Sequence, residues 1–437
     1  MKFEEAIEWI EECNKLGSVL GLDNMENLMN AFQYPDEKLN IIHVAGTNGK
    51  GSVSTFISEI GKVHGLKVGR YVSPTIFCYQ ERFQINNRNI SKDKLAAYLT
   101  EIREVCELLV EGGKAHPTSF EIETLLALLY FAREGCDLVV LEVGMGGRLD
   151  ATNIIKHPKL CVMTSISMDH MQFLGNDLET IAKEKCGIIK PNTAVVSALQ
   201  DLEVEEVIQN TCKEHNVTVS FVDETAIEKK KQNTKKQSFV YKQNTYEIGM
   251  IGSYQIENAC LAIETMRIYQ QIANISLSQK KIEKALLQAK WPGRFQIIGT
   301  HPTFVVDGAH NVDGAKKLKE SIDLYFTNKP IIYIMGMFRD KEYEKVIDIT
   351  CKGVAQIITV ATPNNPRALS SLDLAMEVQK VNPHVTTASS IDEAVEMAYL
   401  FAGKEAVIVS FGSLSFLGKL IDLVSGNQIV RSDNHGQ

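Results

Sequence analysis

The segment His43-Val44-Ala45-Gly46-Thr47-Asn48-Gly49-Lys50-Gly51-Ser52 carries the strongest chemical signal in this chain. It stands between the apolar run KLNIIHVAG and a stretch with Val53, Phe56, Ile57, Ile60 and Val63 at helical spacing, so it joins a strand to a helix. Backbone N–H groups of a glycine-rich turn, a helix N-terminus and one lysine together suit the phosphates of a nucleoside triphosphate. The generic phosphate-loop spacing would place Gly at position 44 and Ser or Thr directly after the lysine, whereas this chain has Val44 and Gly51, with the hydroxyl displaced to Ser52. A glycine-rich turn without a ligand is the alternative. The placement of Gly46, Thr47, Asn48, Gly49, Lys50, Gly51 and Ser52 at one strand-to-helix junction favours anion binding.

Three further groups fall where strands should end: Ser73 after GRYV, Glu142 after DLVVL and His170 after CVMTSIS. Ligands of open parallel sheets bind outside the carboxyl ends of the strands, so these side chains should share a rim with the phosphate loop. A triphosphate brings Mg²⁺, for which Ser73 and Glu142 are apt oxygen donors and His170 a less usual ligand. Each has a plainer reading: Ser73 opens a turn before Pro74, Glu142 pairs with Arg148, and His170 is structural. Asp307, His310 and Asn311 follow the strand FVV and could orient a nucleophile or hold phosphate oxygens. Lys185, within IAKEKCGIIKP, reads from spacing alone as a solvated helical lysine. No G-x-S-x-G elbow occurs, and Gly144-Met145-Gly146-Gly147 fails the dinucleotide fingerprint because Leu149 takes its last position.

These residues need a scaffold, and the pattern supplies one. β-rich apolar runs alternate with helices from Lys38 through VTVSFV: helices at 91–112, from Thr118 with Glu121 as its capping partner, after Asp177 and at 204–215, and strands in DLVVLEVG, CVMTSIS and TAVVSA. Such alternation implies a mostly parallel sheet with helices on both faces. The pattern breaks at EKKKQNTKK, which reads as a solvated loop, followed by a hairpin turning near Gln243 and Asn244. Two helices and the joint WPGRF precede a second alternating series, from FVVDGAHN to SLSFLGKLIDLV, of the size of a smaller α/β domain. The division is therefore 1–295 and 296–437, with a polar, fraying end from Ser425.

Across 437 residues, 44% hydrophobic and 23% charged, the chain reads as soluble and globular, too long for a small binding module. A formal charge of -8 offers no field for capturing nucleic acid or an anionic membrane, which points to small-molecule partners. Nine cysteines without a C-x-x-C pair suit a reducing compartment, and no run approaches a membrane span. The amphipathic start, with Phe3, Ile7, Ile10 and Cys13 on one face, is not a signal peptide, so the expected location is the cytoplasm.

HVAGTNGKGSV, YVSPTIFCYQERF, LEVGMGGRLDATN, SMDHMQFLG, IAKEKCGIIKP, SYQIENACLAI, WPGRF, DGAHN, GMFRDKE and FGSLSFLG, in this order, make the chain resemble the folylpolyglutamate synthase and dihydrofolate synthase family, part of the Mur ligase superfamily. The resemblance implies a P-loop-type α/β domain followed by a smaller Rossmann-like one, in a monomer. It implies ATP-dependent joining of L-glutamate to a folate, and to dihydropteroate, through an acyl phosphate. By the resemblance, Gly49, Lys50 and Ser52 are the phosphate loop, Ser73, Glu142 and His170 match Mg²⁺-site positions, and Ser52 adds a metal-facing hydroxyl. Lys185 matches a lysine that is carbamylated by CO₂ and helps hold a second metal. Asn258 and Arg294 match nucleotide contacts, Asp307 and His310 face ATP and the incoming amino acid, Ser413 is a glutamate-site candidate, and Phe120 and Asp150 match the dihydropteroate pocket. The expected cofactors are ATP and Mg²⁺, with a monovalent cation such as K⁺ in addition. Departures from the family pattern fall at Thr75, Cys186, Tyr254 and Val312.

Two other functions are compatible with the phosphate loop: a ligase of the same superfamily acting on a different carboxylate, and a nucleotide-dependent switch or binding protein that ligates nothing. A switch leaves Glu142, Lys185 and a whole second domain without a task.

Overall fold

The computed structural model describes every residue except 16, 18–20, 364 and 434–437. Eight strands form the first sheet: β1 (Ile41–Ala45), β2 (Val68–Tyr71), β3 (Phe83–Ile85), β4 (Arg88–Asn89), β5 (Leu138–Glu142), β6 (Leu160–Met163), β7 (Ala194–Ser197) and β8 (Val219–Phe221). Their order is β4-β3-β2-β5-β1-β6-β7-β8, which puts β1 between two parallel neighbours. All five residues of β1 are buried, as a strand covered on both faces must be, and its one polar side chain, His43, has Nε2 2.8 Å from Thr152 Oγ1. The antiparallel β3 and β4 extend the β2 edge, an addition the alternating pattern did not announce.

Helices Phe3–Asn14, Asp23–Ala31, Lys92–Glu111 and Ser119–Arg133 share one core with one face of the sheet. The capping box expected at Thr118 and Glu121 is present, and the hydroxyl of Thr118 accepts from the Glu121 N–H. Helix Lys50–Val63 packs on the opposite face with Gln255–Ile272 and Gln279–Gln288. Here a small antiparallel sheet is added, β9 (Ile227–Gln232), β10 (Gln237–Tyr241) and β11 (Asn244–Ile248), ordered β11-β10-β9. The basic run is thus a loop only at 233–236; its first part is an exposed edge strand whose lysines project into water while its backbone pairs with β10. Lysines on a sheet edge hinder pairing with another chain. The hairpin turns at Lys242 and Gln243, both with positive φ, next to the expected position.

From Gln296 onward the strands form a separate sheet: β12 (Gln296–Thr300), β13 (Thr303–Val306), β14 (Ile331–Met335), β15 (Gln356–Thr359), β16 (Val385–Thr387) and β17 (Val407–Phe411), ordered β12-β13-β17-β14-β15-β16. Only β12, absent from the sequence reading, is antiparallel to its neighbour. Helices Val312–Tyr325, Tyr343–Thr350 and Ser371–Gln379 cover one face, and Ile391–Phe401 and Leu417–Asp433 the other. The last helix carries the chain to Asp433, through much of the tail expected to fray; residues 434–437 lie outside the described set. All nine cysteines are free, and no described helix is long and apolar enough to cross a membrane.

Candidate active site

The carboxyl ends of both sheets face one another across a cavity of about 370 Å³. The loop and helix after β1 contribute Gly46 to Ser52, the end of β5 contributes Glu142, and the loops after β2 and β6 contribute Ser73 and His170; those after β13, β14 and β17 contribute Asp307, His310, Phe338, Lys341 and Ser413. Lys185, Asn258 and Arg294 line the same space. The structure therefore brings together the proposed phosphate-loop, metal-site and second-domain residues. Phe120 and Asp150 do not line it. Phe120 lies behind Gly144 beside Tyr71, and Asp150 caps the turn Ala151–Ile154, accepting from Met145 N at 2.9 Å and Thr152 N at 3.0 Å.

The phosphate loop is fitted closely to its surroundings. A Cβ on Gly51 would lie 2.6 Å from Nε1 of Trp291, so the indole occupies the space in which the generic motif carries its hydroxyl. The hydroxyl comes one residue later, at Ser52, where it accepts from Gln255 Nε2 at 3.2 Å. Lys50 folds back with Nζ donating to the carbonyls of Gly46 and Thr47 at 2.9 and 3.2 Å. Burial pulls its pKa down, against the attraction of Glu142 and Asp169.

Glu142 is the group furthest from comfort. It is 4% exposed, its Oε2 has no hydrogen-bond partner among the described residues, and burial pushes it up to about 7 despite Lys50 and Arg294. Arg148, the neutral explanation for it, pairs instead with Glu184 at 2.9 Å. A buried carboxylate oxygen without a partner, near the hydroxyls of Ser52 and Ser73, suits a hard divalent cation. No trio of His, Cys, Asp or Glu side chains forms a cage among the described residues, which suits an ion that keeps water and phosphate oxygens in its shell. His170 is pushed down to about 4, first by burial and then by the charge of Lys341, so its imidazole is neutral with a lone pair to offer.

Lys185 is buried, contrary to the solvated reading of its helix. Its Nζ donates to Gly46 O at 3.1 Å, and burial together with Lys50 pushes it down to about 7. Asp307 accepts from Tyr254 Oη at 2.9 Å and from the backbone N–H of Phe295 and Ala309, both at 2.7 Å. Its carboxylate thereby fastens the joint to the second sheet. Arg294, from the same joint, lies against Gly308, where an added Cβ would come within 2.0 Å of Nη1. His310 Nδ1 sits 2.7 Å from Gly308 O; a carbonyl only accepts, so Nδ1 carries a proton there.

The sequence reading named Asn48, His310 and Asn311 but passed over Asp169, Asp313 and Lys341, with which they join the two halves. Asp169 accepts from Lys341 Nζ, from Asn311 Nδ2 at 3.1 Å, and lies 3.5 Å from His310 Nε2. Burial would raise its pKa, but His310 and Lys341 outweigh that and hold it well below the carboxylate range. Asn48 of the phosphate loop donates to Asn311 Oδ1 at 3.2 Å and to Asp313 Oδ2 at 2.7 Å. Asp169 is adjacent to His170 and Lys341 lies within GMFRDKE, but nothing local in either motif reveals the pairing.

Comparison with known proteins settles the kinship. Residues 44–266 match the Mur ligase middle domain and residues 293–414 the Mur ligase, glutamate ligase domain. A dihydrofolate synthase/folylpolyglutamate synthase from Bacillus subtilis is 33% identical over 427 residues, covering 96% of this chain and 98% of the relative. The chain belongs to the folylpolyglutamate and dihydrofolate synthase family. Its fold agrees with that family's: Mycobacterium tuberculosis folylpolyglutamate synthase complexed with ADP and AMPPCP superposes with a TM-score of 0.87 at 26% identity, covering 97% of this chain and 99% of that one. E. coli FolC in complex with DHPP and ADP gives 0.84 at 26% identity, covering 97% and 98%. As a folylpolyglutamate and dihydrofolate synthase family member, the protein is an ATP-dependent ligase.

Proposed function

We propose that the protein joins the α-amine of L-glutamate to the carboxyl group of a folate and of dihydropteroate, with ATP as the energy source and Mg²⁺ as the essential metal. The supporting observation is the cavity in which phosphate loop, unpartnered Glu142 and the second-sheet residues meet. The acceptor carboxylate attacks the γ-phosphorus of ATP, releasing ADP and leaving an acyl phosphate. The amine of glutamate then adds to the acyl carbon and inorganic phosphate departs.

Both steps move negative charge, and protein groups serve such transfers chiefly by positioning and charge stabilisation. The backbone of Gly46 to Gly51, with Thr47, Asn48 and Ser52, cradles the phosphates, while Lys50 and Arg294 offset charge on the transferring oxygens. Asn258 lies against Gly49 and lines the nucleotide side. Ser52, Ser73, Glu142 and His170 would hold Mg²⁺, which supplies neutralisation of the phosphate oxygens. Lys185, with a neutral amine accessible near pH 7, is the carbamylation candidate for a second metal position. Asp307 anchors the joint, it or His310 orients the amine of glutamate or takes its proton, and Ser413 borders the amino-acid side. Phe120 and Asp150 serve the pterin end, outside the phosphate cavity. A monovalent cation such as K⁺ completes the cofactors. The division of labour follows 1–295 for nucleotide and acceptor and 296–437 for the amino acid, in a cytoplasmic monomer.

The test is incubation of purified protein with ATP, Mg²⁺ and glutamate, and separately dihydropteroate or tetrahydrofolate, with mass spectrometry of the pterin. A product heavier by one glutamyl residue is expected. ATP consumption that responds to another carboxylate and to neither pterin would overturn the assignment.

A further inference from the structure

Behind the phosphate loop lies a cation that the sequence motifs do not explain. Arg70 stands on β2, is 5% exposed and does not line the space between the two sheets. Its Nη1 donates to Thr55 Oγ1 at 2.5 Å and its Nη2 to Gln84 Oε1 on β3, both uncharged acceptors. Thr55 lies in the second turn of helix Lys50–Val63, and its hydroxyl donates to Gly51 O at 2.7 Å. A hydroxyl has a single proton, so the bond to Gly51 uses it and the oxygen accepts from Arg70. Donation from a charged group polarises the hydroxyl and strengthens its bond to the carbonyl. The guanidinium also sits 5.1 Å from the centroid of the Trp291 ring, whose Nε1 has no hydrogen-bond partner among the described residues. With no hydrogen bond to orient it, the indole is held beside Gly51 by packing and by this cation.

Gly51 is thus clasped from two sides, its carbonyl by Thr55 and its α-carbon by Trp291, and Arg70 touches both clasps. Burial pulls the guanidinium down to about 10, against the attraction of Glu142 and Glu59, so its charge persists at neutral pH. Taking a cation out of water onto neutral acceptors is unfavourable, and an apolar side chain would serve better if the position only had to be filled. We infer that Arg70 is a positioning residue for the nucleotide: through Thr55 and Trp291 it sets the Gly51 peptide, and with it the run of backbone N–H groups that meets the phosphates. This rests on the reading of Gly46 to Ser52 as the phosphate cradle. It assigns part of that cradle's shape to a strand outside the loop.

The experiment compares Arg70→Met, Arg70→Lys, Thr55→Val and the Arg70→Met, Thr55→Val double variant with the native protein, by equilibrium dialysis of labelled AMPPCP with Mg²⁺ and by steady-state kinetics. Arg70→Met should bind the nucleotide roughly 5- to 30-fold more weakly and raise KM for ATP by the same factor, while KM for glutamate stays native. Arg70→Lys keeps a cation for the indole and a donor for Thr55, and should recover part of the loss. Because Arg70 acts through Thr55, the loss in the double variant should fall short of the product of the two single losses. Native affinity in Arg70→Met, an equal rise in KM for ATP and glutamate, no recovery in Arg70→Lys, or single losses that multiply in the double variant each overturn the proposal. Should Arg70→Met fail to fold by circular dichroism, Thr55→Val decides, since it keeps the guanidinium and removes the hydroxyl on Gly51: weaker nucleotide binding supports the inference and native binding overturns it. A native protein that does not bind AMPPCP would overturn the phosphate cradle itself, whereas native binding with unaltered variants overturns Arg70 alone.

Discussion

Replacing Glu142 by Gln should make the metal-free protein more stable at neutral to alkaline pH while abolishing its activity. Burial raises this carboxyl from 4.5 to about 7, so folding opposes its ionisation. Below pH 4.5 the group is protonated in both states and costs nothing. Between the two values the unfolded chain binds fewer protons than the folded one, and stability falls as pH rises. Above pH 7 the full difference applies, roughly 3 kcal/mol at 1.36 kcal/mol per pH unit. An amide of the same shape escapes this cost. Urea denaturation in EDTA should therefore find the native and Glu142→Gln proteins alike near pH 4 and the variant ahead by about 2–4 kcal/mol at pH 8. With Mg²⁺ and AMPPCP the order should reverse, because only the carboxylate gains a cation. A variant that is equally or less stable at pH 8 without metal would refute the account of Glu142 as a charge held in waiting.

Gly51→Ala should weaken ATP binding and alter tryptophan fluorescence, since its Cβ would displace the Trp291 indole; unchanged emission and KM for ATP would count against this contact. Lys341→Met takes the lysine from the buried Asp169 and leaves it Asn311 and His310 as partners, and roughly 3 kcal/mol should be lost in urea denaturation, with partial recovery in the Lys341→Met, Asp169→Asn double variant. Lys185 is pushed down to about 7 and becomes neutral as pH rises through that value, so bicarbonate-depleted enzyme should regain activity on adding bicarbonate more fully at pH 8 than at pH 6. Lys185→Arg should show no such response, and carbon-13 NMR with labelled bicarbonate should reveal a carbamate in the native protein alone.

What could be read from the sequence was what depends on neighbours in the chain. An apolar run placed β1, the period-3.6 pattern the helix after Lys50, and the pair Thr118 and Glu121 the capping box, because each is fixed within a few residues. Three strands and one edge were missed for a different reason. β3, β4 and β12 are short antiparallel additions whose partners stabilise them, and β9 carries a charge pattern that suits water on both sides. The site divides in the same way. Ser73, Glu142 and His170 were legible as ends of strands, and the rule about parallel sheets brought them to one rim. Lys185 was not, since a lysine on a short helix looks solvated until the packing around it is known. Asp169 and Lys341 are 172 positions apart. No local signal reports a meeting at such a separation.

The contact from Asn48 to Asn311 and Asp313 means that a loop shaped for phosphate is steadied by the opposite half of the molecule. Nucleotide occupancy and hinge posture then belong to a single equilibrium, and thermodynamic reciprocity requires each to bias the other by one shared factor. An amino acid that draws the far half inward would tighten its grip on the nucleotide, whereas departure of that nucleotide would ease the halves apart and free whatever had been made between them.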